Sequence, residues 1–135
     1  MAQKNVALDP AGHLGLSVSN FELSKAFYSK LFSQIGFTQI VSKEKSAAWK
    51  TSEGFGIWIR QAEFFERKYV RGAPGIQHLC FKAKNKEDVD RLYGFLVKEK
   101  MKVYSPPSLM TEYLPHYYAV YFPDPDGIKL EFAFY

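Results

Sequence analysis

The sequence predicts an α+β protein built of two tandem β-α-β-β-β modules, each a curved mixed sheet with its helix on the outer face. Three observations predict it. The chain repeats itself at an offset of 65: His13, Leu14, Asn20, Glu22, Tyr28 and Leu31 fall on His78, Leu79, Asn85, Glu87, Tyr93 and Leu96. Each copy opens on a period-two run that passes directly into a stripe of helical period. Three short strand candidates, separated by turn residues, then follow each helix.

The elements follow in order. Residues 13–19 (HLGLSVS) and 78–84 (HLCFKAK) alternate. Leu14, Leu16 and Val18 share one face, as do Leu79, Phe81 and Ala83, which leaves His13 beside Gly15 and His78 beside Cys80 on the other. Asn20 and Asn85 stand where a helix N-cap belongs. Behind Asn20 the expected buried stripe is Leu23, Phe27, Leu31 and Ile35, closed by Gly36; behind Asn85 it is Val89, Leu92, Tyr93, Leu96 and Val97, with Glu87 and Asp88 in the first turn. Strands are expected at residues 37–41, 47–51 and 55–60, and again at 101–104, 117–122 and 128–134. Glu53-Gly54 and Pro123-Asp124-Pro125-Asp126-Gly127 supply turns. The modules are thus residues 13–61 and 76–135, joined by a linker at 62–75 within one domain spanning 1–135. Neither half is expected to fold well alone, because one sheet with one helix leaves a face uncovered.

Composition narrows the function. With 47% hydrophobic residues in 135, the chain can bury a core and is not dominated by disorder. No run approaches ~18 apolar residues, so no membrane span is expected. The first ten residues lack the order of a secretory signal. A single cysteine, Cys80, excludes an internal disulfide and any CxxC motif, and the expected home is a reducing cytoplasm. The net charge is +4, but Lys and Arg are interspersed with acidic and apolar residues, which reads as a solvated surface and not as a nucleic-acid interface.

The chemistry-bearing residues are few. His13 and His78 occupy equivalent places in the repeat, and Glu131 interrupts an otherwise apolar last strand, where a carboxylate needs a cation or a hydrogen-bond donor. Two imidazoles and a carboxylate suit a divalent metal: Zn, Fe, Mn, Co or Ni. The competing reading has the histidines structural and Glu131 neutralised by Arg60, with no metal bound. Cys80 reads as a small buried hydrophobe.

At this point the chain resembles the vicinal oxygen chelate superfamily, which includes glyoxalase I, fosfomycin- and bleomycin-resistance proteins and extradiol dioxygenases. The resemblance runs from His13 to Tyr135, and its most specific part is YYAVYFPDPDGIKLE, residues 117–131. It implies a cup around a divalent metal on His13, His78 and Glu131, chelating two adjacent oxygens of a small-molecule ligand, in a homodimer. Laying Gly56–Arg60 over Gly127–Glu131 puts Arg60 where glyoxalase I keeps a fourth ligand. A guanidinium cannot ligate a metal, so a three-ligand site is expected, with Arg60 free to hold an anionic group of the substrate. Trp58, Tyr113, His116 and Tyr118 are further candidates for substrate contact, while catalytic residues are not assigned. The alternative function is metal-free binding or sequestering, as in the bleomycin-resistance branch, with the aromatic residues lining a groove.

Overall fold

Asn20 and Asn85 act as short polar residues at a helix entrance do. Each side-chain oxygen accepts the backbone N–H three residues on, from Leu23 at 3.1 Å and from Asp88 at 2.9 Å. In a computed structural model of the chain, which describes Ala2 and residues 5–135, these caps open α1 (Phe21–Ile35) and α2 (Lys86–Lys98). Gly36 ends α1 in the left-handed region (φ 88°), returning its N–H to the Phe32 carbonyl, a conformation that a Cβ would strain.

The remaining elements are β1 (His13–Val18), β2 (Thr38–Ser42), β3 (Ser46–Lys50), β4 (Gly56–Gln61), β5 (Leu79–Lys82), β6 (Ser108–Leu109), β7 (Tyr118–Pro123) and β8 (Lys129–Phe134). They form two separate four-stranded sheets, ordered β1-β4-β3-β2 and β5-β8-β7-β6. The first strand of each module pairs parallel with the last, and the other neighbours are antiparallel. This is the expected pair of β-α-β-β-β modules. Neither sheet is closed. The chain divides into two units, the first running to Glu63 and the second beginning at Phe64, so residues 64–75 of the expected linker go with the second.

One face of each sheet is covered by its own helix. In the first module Val18, Ile57 and Ile59 are fully buried on that side, as are Tyr28, Leu31 and Phe32 of α1. In the second, Val89 and Leu96 of α2 are buried, along with Val120, Phe122 and Leu130 of the sheet. Three details differ from expectation, the first being Val97 of the expected α2 stripe, which is exposed at the helix's C-terminal end. The inward stripe of α1 is Phe21, Ser24, Tyr28, Leu31 and Phe32, while Leu23 faces solvent. Three aromatic rings outweigh the aliphatic stripe in apolar area and turn the helix accordingly. The second strand of the second module is not at residues 101–104 but at Ser108–Leu109, after Pro106 and Pro107, which cannot donate to a ladder.

Candidate functional site

The alternation that buries Leu16 and Val18 turns His13, Gly15 and Ser17 to the opposite side of β1, where Trp58 and Arg60 of β4 join them. A cavity of about 490 Å³ opens there. The His13 and Trp58 ring centroids are 6.4 Å apart.

In the second module the corresponding side carries Cys80 of β5 and Tyr121 of β7, which flank Glu131 of β8 in register. Together with His78, Tyr117 and Tyr113, Tyr121 and Glu131 line a cavity of about 370 Å³. Glu131 is only 3% exposed. The Tyr117 hydroxyl donates to its Oε1, and His78 Nε2 lies 3.6 Å from its Oε2. On the far side of the imidazole, the Gln77 side-chain carbonyl takes the hydrogen of Nδ1. That assignment leaves Nε2 with its lone pair towards a carboxylate oxygen, too far for a hydrogen bond. Either a proton on Nε2 or a cation between the two groups joins them, and the Lys129 ammonium lines the same cavity. Donors at roughly 2.0–2.2 Å from one tetrahedral cation stand about 3.4 Å apart, close to the distance found. The separation of His78 and Glu131 is compatible with two ligands of one cation. Among the described residues, no group of three or more His, Cys, Asp or Glu side chains that could hold a metal ion is found.

The buried carboxylate governs its neighbours' protons. Burial, and then the Glu131 charge, pushes the Cys80 thiol from 9.0 up to about 11. Tyr117 is held protonated far above the ordinary phenol range by burial and by its bond to Glu131; Tyr121 is held likewise by burial and then by the Glu131 charge. All three are neutral hydrogen-bonding groups at neutral pH, and Cys80 is not a thiolate nucleophile. Folded Cys80 keeps a proton that the unfolded thiol gives up, so the thiol's contribution to stability is level below pH 9.0 and falls as pH rises towards 11. Thermal melts stepped through that window should show the fall. In Cys80→Ala it should begin only near the ordinary tyrosine value of 10.0; an unchanged profile would contradict this account.

The candidate residues thus fall into groups. His13, Trp58 and Arg60 share the first cavity, while His78, Glu131 and Tyr113 share the second. His116 is exposed in the loop before β7 and lines neither. Tyr118 is on the helix side of β7, where its hydroxyl bonds Asp90, a contact that pushes its pKa up to about 12. Tyr117 and Tyr121 were not among the candidates. Alternation back from Glu131's neighbour Tyr121 would have found them, since residues 117, 119 and 121 share a face and Tyr118 does not.

The register also corrects the alignment of the closing strands. Gly15 pairs with Trp58, and Cys80, the repeat equivalent of Gly15, pairs with Glu131. The residue in Glu131's place is therefore Trp58, and Arg60 lies two residues beyond it. The reason is that pairing with the first strand, not the turn glycines, sets the register.

A family model described as the glyoxalase/bleomycin resistance protein/dioxygenase superfamily matches residues 11–132. The chain belongs to that superfamily. Its members generally bind small-molecule ligands and typically use divalent metals. The uncharacterized protein YqjT of Bacillus subtilis is 29% identical over 125 residues, covering 88% of this chain and 94% of that protein. The solved structure of a candidate glyoxalase from Bacillus halodurans superposes with a TM-score of 0.78 at 26% identity, over 91% of this chain and 93% of that one. The fosfomycin resistance protein FosX of Listeria monocytogenes shares the fold, with a TM-score of 0.69 at 18% identity over 98% and 95% of the two chains.

Proposed function

We propose that this glyoxalase-superfamily protein is a divalent-metal-dependent enzyme acting on a small oxygenated substrate, with His78 and Glu131 as metal ligands and His13, on the family resemblance alone, as the third. The observation that carries the reading is the His78 Nε2–Glu131 Oε2 separation of 3.6 Å, with the far side of each group already occupied by Gln77 and Tyr117. A bound Fe, Mn, Co, Ni or Zn would act as a Lewis acid, chelating two neighbouring substrate oxygens and stabilising an oxyanion. The chain's own residues supply the rest. Gln77 fixes the tautomer of His78, and Tyr117 holds one oxygen of Glu131 so that the other stays directed at His78. The Tyr121 phenol, kept protonated beside Glu131, can donate to a substrate oxygen. Arg60 pairs with an anionic substituent, which orients the substrate. The protein works as a cytoplasmic homodimer on this reading, with a solution mass of twice 15.5 kDa.

Elemental analysis of untagged protein, purified without chelator, tests it. Near-stoichiometric metal is expected. Retention in His78→Ala and Glu131→Gln should fall by more than the roughly 10–100-fold that losing an outer partner costs; His13→Ala tests the third ligand. Equal metal content in parent and variants would overturn the assignment. A metal-free ligand-binding or sequestering role is favoured by one feature, an indole where the second module has its carboxylate. It is the outcome if no divalent ion is taken up on incubation.

A further inference from the structure

The first cavity has a chemistry of its own. Its lining contains no acidic side chain: the groups facing it are the imidazole of His13, the hydroxyl of Ser17, the indole of Trp58 and the guanidinium of Arg60. Among the described residues neither a hydrogen bond nor an ion pair engages the guanidinium of Arg60. Gly15 stands in register with Trp58, and a Cβ built there would meet nothing within 4 Å, so a slot lies open beside the indole. Ser17 stands in register with Arg60 one step along. Trp58 and Arg60 are two residues apart on one face of β4, about 6.6–6.8 Å between their Cα atoms, within the span of a single small molecule. The volume of about 490 Å³ falls within the range of small-ligand sites.

We propose that this cavity binds a planar aromatic carboxylate, its ring in the slot between Trp58 and Gly15 and its carboxylate on Arg60 with the Ser17 hydroxyl alongside. The indole offers a flat apolar face to the ring. The guanidinium matches a carboxylate with two parallel N–H···O bonds, which a neutral substituent cannot supply. The proposal names the substrate class for the reading of Arg60 given above and rests on that reading, but it needs no metal.

Benzoate is the probe, titrated into chelator-treated protein while tryptophan fluorescence is followed. The chain has two tryptophans, and Trp49 is 2% exposed on the helix side, so Trp58 is the indole that a ligand can reach. The expected result is saturable quenching that vanishes in Trp58→Phe and weakens about tenfold or more in Arg60→Gln. Gly15→Val should fill the slot and abolish binding while leaving the thermal melt intact, because its side chain enters open space on a strand. Acetate, lacking the ring, and benzyl alcohol, lacking the charge, should each bind about tenfold more weakly or worse. Benzoate binding that is absent, or undiminished in Arg60→Gln or Gly15→Val, overturns the proposal. Benzoate binding without metal uptake by the parent sinks the metal reading alone, and metal retention without benzoate binding sinks this one alone.

Discussion

Phe32→Ala should remove about 3–5 kcal/mol from the first module. The ring is fully buried and lies at the centre of an aromatic group on the helix side of the sheet: 4.5 Å from Phe37, and 5.3 Å from both Tyr28 and Trp49. Those neighbours come from α1, from the residue after Gly36 and from β3, so no single movement closes the space that truncation would leave. Close-packed interiors relax only partly around such a void. Urea unfolding measures the loss, and Trp49, which meets Phe32 edge-on, reports it directly. A loss below about 1 kcal/mol would show that the site collapses freely and that the rotated face of α1 is misread. The substitution also separates structure from recognition, since Trp58 and Arg60 lie on the other side of the same sheet.

Tyr117→Phe should cost about 1.5–3 kcal/mol at neutral pH, the range for a hydrogen bond to a charged group. Phenylalanine keeps the ring contacts of Tyr117, stacked on Tyr135 at 4.9 Å and edge-on to Tyr113 at 5.4 Å. The hydroxyl that donates to Glu131 Oε1 is lost, leaving a carboxylate that is 3% exposed one donor short. A double-mutant cycle with Glu131→Gln isolates the pair. The two changes should be strongly non-additive, because removing the charge removes most of the reason for the hydroxyl. Additive effects would mean that Tyr117 stabilises the module through its ring alone.

The frame of the molecule was legible in the sequence because it is local. Asn20 and Asn85 cap where their side chains predict, Gly36 turns where a glycine allows it, and β1 alternates as written. What escaped was tertiary. Leu23 and Phe27 made a plausible stripe on α1, but the neighbouring Tyr28 and Phe32 had more area to bury, and only packing against a sheet shows which face wins. Arg60 was set opposite Glu131 by matching turn glycines, whereas the parallel pairing of β4 with β1 puts Trp58 there. Register between strands distant in sequence leaves no mark on either strand alone. The second-module residues follow the same rule: His78 and Glu131 were readable by type and repeat position, but Tyr117 and Gln77 matter through contacts that no spacing announces.

The parallel pairing of the outer strands has a kinetic consequence. Within each sheet the antiparallel pairs close short turns: Lys50 meets Gly56, and Pro123 meets Lys129. β1 must instead reach β4 across the whole module, from His13 to Gly56, and β5 must reach β8 from Leu79 to Leu130. Loop-closure entropy makes such long-range pairings late to form. The strands that present His13, Gly15 and Cys80 are therefore expected to dock after the antiparallel hairpins of their sheets have formed.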